Sequence, residues 1–409
     1  MAHGYFEKRG PDLWFHLVIE DASSHKIVRE TSARGPALEA LASLARSVDP
    51  HAQAFETSRA DAFAAWGRGD FERAVALDPD FGIAWLNWAE SLAARGDSAG
   101  AQAVAARALM HPLPNFPAER LRIQALDAAL RHDESGRLQA LEGLAELSPL
   151  DPAALRALAE AELSSRRFAQ AERAYERLSR AAPDDPTTDN MLGYTQALAG
   201  EPDKARASLE RYARRPGQAA NALDSLGEAM FMNGRFAEAE KAFLECYQKY
   251  PGFLNGAPLW KAAHARWLAG NLKGADELLD RYLTQVRSDD SLASWRRATW
   301  LYETGRREEA IALLRKAPEN DLIRRQFATW DHPDAALPRD PDALRRLYET
   351  TGPVNDGLVR ISYAKALLEA GRDEEARALL RRWPLPPQAD LPAESLVLPE
   401  FLTLKKKLS

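Results

Sequence analysis

Between residues 221 and 251, NALDSLGEAMFMNGRFAEAEKAFLECYQKYP, apolar positions fall three and four apart with polar residues between them. Leu223, Leu226, Gly227 and Met230 thus share one face of a first helix. Asn233-Gly234 ends that helix, because glycine tolerates the left-handed backbone that a side chain penalises. A second helix carries Ala239, Phe243 and Cys246 on its apolar face until Pro251 stops it. The unit then recurs. Gly200, Gly234, Gly270 and Gly305 are 34, 36 and 35 residues apart, and five positions after each comes an alanine: Ala205, Ala239, Ala275 and Ala310. A period of that length predicts helical hairpins stacked in chain order.

Other segments keep the register with lower fidelity. Residues 187–217 supply Leu192-Gly193, Ala205, Leu209 and Tyr212; residues 257–288 supply Leu259, Ala263, Leu279 and Tyr282. Residues 292–318 give Ala298, Leu301, Leu314 and Pro318, and 82–112, 153–183 and 358–384 follow the same order of small and large positions. Leu-Gly on the first helix, Ala-x3-Phe on the second and a terminal Pro make the chain resemble the tetratricopeptide repeat, over residues 52 to about 388. The resemblance implies an all-α, right-handed α-α superhelix, a solenoid of about eight or nine hairpins. Residues 67–79 are too short for a full unit and predict an atypical first hairpin. Between Pro318 and Thr351, helical stretches at 319–329 and 341–350 flank a Pro/Asp-rich loop, which reads as a degenerate repeat.

The amino end follows a different period. Trp14, His16, Val18 and Glu20 alternate with Phe15, Leu17 and Ile19, and KIVRETSARG follows after Ala22-Ser23-Ser24-His25, so a small β-hairpin is expected. Two strands alone are marginal in water and need the first helices or an outside strand. An exposed β edge of that kind could pair two chains into a homodimer. With the helix PALEALASLARSV, the segment resembles the small α/β element before such repeats in bacterial multidomain signalling proteins. The expected division is a β-hairpin remnant or small α/β element over 1–35, a solenoid over 36–390 and a capping helix over 391–409. Lys405, Lys406 and Lys407 give that last helix a polar outer face.

At 409 residues with 45% apolar content, the chain exceeds one compact core, a limit that repeat arrays escape. A net charge of −6 provides no global attraction for nucleic acid or anionic lipid. The single cysteine, Cys246, excludes an internal disulfide framework and occupies a small inward position, where a thiol acts as a compact apolar group. No secretory apolar run opens the sequence and no stretch reaches about 20 apolar residues. A cytoplasmic protein is expected, with the periplasm open for a fragment of a longer chain.

Catalytic signatures are lacking: no GxxxxGK[ST] phosphate loop, no GxGxxG after a strand, no GxSxG and no HExxH. The eight histidines show no helical metal-ligand spacing, and Asp331-His332-Pro333-Asp334 reads as a polar loop. The expectation is therefore no enzyme, no cofactor and no metal. Chemistry is left to the inner groove that helix A lines in tetratricopeptide folds. By resemblance, its positions fall on Asn190, Tyr194, Asn221, Glu228, Phe231, Trp260, His264, Trp267, Trp295, Thr299 and Tyr302, with Lys261 and Arg296 alongside. Two readings stay open. In one, aromatics and cations grip a peptide of an unidentified protein partner, with Asn190 and Asn221 bonding its backbone. In the other, superhelical curvature buries these rings against the next hairpin. The family's carboxylate clamp is not reproduced. The resulting expectation is a protein-interaction scaffold; the alternative is a regulatory or sensory ligand-binding module derived from a larger bacterial kinase or transcription-regulator chain.

Overall fold

The computed structural model describes residues 1–10, 12–50, 52, 57–111, 117–285, 290–317, 319–331, 337–386 and 391–408. Pro318 and the His332-Pro333-Asp334 stretch lie outside them. The chain divides into two compact units, Met1–Pro149 and Leu150–Ser409.

The first unit opens with an antiparallel sheet in the order β1 (Ala2–Arg9), β2 (Asp12–Glu20), β3 (Ile27–Gly35). His16 of β2 is paired with Tyr5 on one side and Ser32 on the other. The turn between β2 and β3 is held by Asp21, whose carboxylate accepts hydrogen bonds from Ser23 and Ser24. The predicted hairpin is present, but a third strand, β1, was not legible. Its sequence, AHGYFEKR, lacks hydrophobic alternation because all of it is exposed. Helix α1 (Ala37–Val48) packs on β2 and β3, burying Leu38 and Ala40, so the β element extends beyond residue 35 to include this helix.

Helical hairpins follow. Helices α2 (Ala60–Gly67) and α3 (Phe71–Leu77) form the short first pair. The pairs α4 (Gly82–Ala94) with α5 (Ser98–Leu109) and α6 (Pro117–Leu130) with α7 (Glu134–Leu147) complete the unit. Phe81, Trp85, Ala89, Val104 and Ile123 share one core.

The second unit continues with α8 (Pro152–Ser164) and α9 (Phe168–Ala181), then α10 (Pro186–Leu198) and α11 (Pro202–Ala213). Next come α12 (Ala219–Met232) with α13 (Phe236–Lys249) and α14 (Ala257–Leu268) with α15 (Leu272–Gln285). After α16 (Asp290–Glu303) and α17 (Arg307–Lys316) come α18 (Asp321–Asp331) and α19 (Pro341–Thr350). Helices α20 (Gly357–Glu369), α21 (Asp373–Leu379) and α22 (Val397–Leu408) end the chain. From α8 to α17 the two helices of each pair pack together and consecutive pairs pack on one another, as in α11 with α12 and α13 with α14, whereas α19 packs on α20.

The hairpin geometry follows from small residues. Gly200, Gly234, Gly270 and Gly305 have φ of 82°, 73°, 94° and 88°, the left-handed conformation that closes each turn. On the packed faces, a Cβ at Gly193 would lie 2.6 Å from Leu209 Cγ, and one at Gly227 2.4 Å from Phe243 Cε1. Asp151 and Asp185 cap α8 and α10 by accepting from Ala153 and Thr187 N–H, ahead of a proline in the first turn.

One expectation fails in the second unit: its hairpins do not touch only their sequence neighbours. Trp383 N–H donates to Met232 O at 3.0 Å, and the Trp383 ring meets Phe236 edge-on at 4.8 Å. Arg166 Nη2 reaches Asp356 Oδ2 at 2.9 Å. Helix α18 packs on the turn Pro392–Leu396, where Gln326 and Trp330 both donate to Ser395 Oγ at 3.1 Å. Apolar surface left bare by the degenerate repeat is covered by the chain's own tail, with Val397, Leu398, Phe401 and Leu404 of α22 buried.

Candidate functional site

Helices α10, α12, α14 and α16 bring the thirteen predicted groove residues into one row, and most of that row is interior. Phe231, Trp260, Lys261, His264, Trp295, Arg296 and Thr299 are buried, as are Glu228 and Tyr302. Asn190, Tyr194, Asn221 and Trp267 are half-buried.

The aromatic members pack on their own chain. Trp260 contacts Tyr282 at 5.6 Å and Trp300 at 6.2 Å between ring centroids, and Trp267 meets Trp300 at 5.9 Å. Trp295 Nε1 donates to Gln326 Oε1 at 2.8 Å, Tyr302 stacks on Trp330 at 4.4 Å, and Phe231 meets Phe236 edge-on. Arg296 lies over the Tyr282 ring, and Thr299 Oγ1 donates to Arg296 O. A peptide-binding role for these buried residues needs side chains that a ligand can reach. The partner helix, the following hairpin and the returning tail pack on the face that helical periodicity alone leaves open.

The polar members form a buried network. Lys261 Nζ donates to Asp224 Oδ2 at 2.7 Å and to Glu228 Oε1 at 2.6 Å, and Tyr194 OH donates to Glu228 Oε2. Burial raises the Asp224 carboxyl to about 6, with Lys261 opposing the rise and Glu228 adding to it. Burial likewise raises the Tyr194 phenol. One step along, His264 Nδ1 is 2.9 Å from Trp260 O, an atom that only accepts, so Nδ1 carries a hydrogen. His264 Nε2 and Glu303 Oε2, 2.7 Å apart, then share a further proton, and burial raises the Glu303 carboxyl. These acid–base groups link α10, α12, α14 and α16 and are partnered with one another, except that Asp224 Oδ1 is buried without a hydrogen bond among the described residues.

Asn190 Oδ1 is buried without a hydrogen bond among the described residues, whereas Asn221 Nδ2 donates to Tyr212 OH at 2.8 Å. Cys246 Sγ donates to Ala220 O, and burial pushes its thiol up to about 12, which leaves an unreactive packing residue. Among the described residues, no group of three His, Cys, Asp or Glu side chains is placed to hold a metal ion.

A second ionic cluster had no sequence signal. Asp356, fully buried, accepts from Arg166 Nη2 at 2.9 Å and from Arg382 Nη2 at 2.8 and 3.0 Å, with Arg360 Nε 3.2 Å away. Arg166 also lies 3.8 Å from the centre of the Tyr348 ring.

Comparison with known families now joins this geometry. Residues 190–252 match one tetratricopeptide-repeat model, and residues 83–107 and 357–382 match another. These segments of the chain are tetratricopeptide repeats. Members of the family generally act as non-enzymatic scaffolds for protein interaction. No curated protein matches the sequence. Among solved structures, the apo form of the quorum sensor NprR from B. thuringiensis is 14% identical; the match covers 78% of this chain and 95% of that one, with a TM-score of 0.39. YrrB, described as a tetratricopeptide-repeat protein with an unusual peptide-binding site, is 18% identical over 55% of this chain and 95% of its own, with a TM-score of 0.32. MamA is 16% identical over 42% and 92%, with a TM-score of 0.36. No helix among the described residues is long and apolar enough to cross a membrane.

Proposed function

We propose that this tetratricopeptide-repeat chain is a cytoplasmic scaffold that takes up an extended peptide segment of a protein partner along the accessible part of α10 and α12. The observation that carries the reading is Asn190, whose buried Oδ1 has no donor among the described residues. An amide oxygen left this way costs about 1–3 kcal/mol, which a peptide N–H would recover once the half-buried side chain turns outward. Tyr194 and Asn221, half-buried beside it, supply further polar contacts. The aromatic residues from Trp260 to Tyr302 serve as the wall beneath this face rather than as its surface. Selection from a random peptide display library, followed by titration of the selected peptide, tests the idea. Asn190→Leu should weaken binding by about ten-fold with an unchanged circular dichroism spectrum. Equal affinity for both proteins, or a library that yields no binder, sinks the proposal.

The sheet favours a second reading, a regulatory module from a larger signalling chain. Strand β1 is an edge, with Tyr5 and Phe6 61% and 65% exposed. A second copy could add its own β1 there. Sedimentation of the wild type against Phe6→Lys distinguishes a homodimer from a monomer.

A further inference from the structure

Where the α20/α21 hairpin meets the turns after α10 and α12, the second unit holds a cavity of about 360 Å³. Phe168, Leu198, Met232 and Leu379 give it apolar walls, and Arg360, Arg381 and Arg382 line it. No acidic side chain is among the described lining residues.

The guanidinium of Arg360 is buried but incompletely used. Its Nη1 donates to Arg382 O at 2.7 Å and Leu379 O at 3.3 Å, and its Nε faces Asp356, while Nη2 has no hydrogen-bond partner among the described residues. Arg382 directs Nη2 to Asp356, and among the described residues its Nη1 has the Met232 sulfur at 3.7 Å, a weak acceptor. Arg381 is exposed and makes no ion pair among the described residues. Three guanidiniums, from Arg166, Arg360 and Arg382, thus converge on the single carboxylate of Asp356. The cluster carries two uncompensated positive charges, and burial together with Arg382 pushes the Arg360 guanidinium down, to about 9. Arg166 anchors the cluster from a left-handed turn position, φ 57°, that five later hairpins give to glycine.

We propose that this cavity binds a phosphoryl group carried by a small molecule with an apolar body. A dianion balances the two excess charges, whereas a single carboxylate leaves one. Planar guanidiniums with unused N–H groups match phosphate oxygens in geometry as well as in charge. The volume and the apolar walls fit a small organic ligand rather than the bare ion. The inference does not rest on peptide uptake by α10 and α12.

Isothermal titration of the full chain with inorganic phosphate, phenyl phosphate and phenylacetate, at one ionic strength, tests the assignment. Phenyl phosphate should bind at a single saturable site, more tightly than inorganic phosphate and about ten-fold more tightly than phenylacetate. Arg360→Gln and Arg381→Gln should each weaken phenyl phosphate about ten-fold. Because Arg381 is on the surface, its variant keeps the test decisive even if Arg360→Gln does not fold. Absence of saturable binding of either phosphate by the wild type overturns the site, as does unchanged affinity in Arg381→Gln. Phenylacetate binding as tightly as phenyl phosphate overturns the phosphoryl assignment.

Discussion

Lys261 lies between two buried carboxylates, Asp224 and Glu228, whereas Asp356 lies among three guanidiniums, those of Arg166, Arg360 and Arg382. The first joins consecutive hairpins and the second distant parts of the second unit, and they carry opposite excess charge. In the first, Tyr194 completes Glu228, and Asp224 Oδ1 is buried without a hydrogen bond among the described residues. The second leaves N–H groups of Arg360 unsatisfied, and Arg360 lines a cavity. A buried ionic cluster is thus a candidate for binding where the group left unsatisfied also lines a cavity.

The largest expected effect comes from removing the minority charge. Lys261→Met and Asp356→Asn should each lower unfolding free energy by about 3–5 kcal/mol, because like charges then remain buried without compensation. Urea titrations followed by tryptophan fluorescence measure it. A smaller cost, about 1–2 kcal/mol, is expected for Arg382→Met, since Arg166 and Arg360 still hold Asp356. Equal losses in Arg382→Met and Lys261→Met would break the comparison.

Stability against pH sharpens it further. The Asp224 carboxyl rises from an ordinary 3.8 to about 6 in the fold, so the native state binds its proton more readily than the unfolded chain. That contribution is fully present below 3.8 and is lost as pH climbs through about 6. Asp224→Asn should therefore flatten the wild-type decline across this window, visible in paired melting curves. Identical pH profiles would contradict the burial argument. The smallest effect is expected for Arg166→Gly. It gives up one of three guanidiniums but relieves a left-handed non-glycine residue, which costs about 1–2 kcal/mol. The net change should be within about 1 kcal/mol by the same urea titration.

Much of the fold was legible because it is local and periodic. The glycines at 200, 234, 270 and 305 all adopt the left-handed turn that their spacing predicts. Where His132 and Arg166 hold the equivalent conformation, φ 57° in both, no glycine marks the turn, and the repeat was correspondingly harder to read. The inner row was assigned to the correct helices, but periodicity fixes a face and not its cover. Over Trp260, Tyr282 comes from the same hairpin and Trp300 from the next, while Ser395 beside Trp330 comes from the tail. Asp356 and Arg166 are farther apart in sequence than any repeat, so nothing in the period points to their meeting.

The hydrogen bond from Trp383 to the carbonyl of Met232 bears on how the second unit comes apart. A stack in which each repeat leans only on its neighbours frays inward from a free end, one hairpin at a time. Here the last hairpin is fastened to the middle, so releasing α20 and α21 also uncovers the ends of α10 and α12. Amide hydrogen exchange in those four helices should then proceed in one cooperative step, with equal opening free energies rather than a gradient toward the terminus.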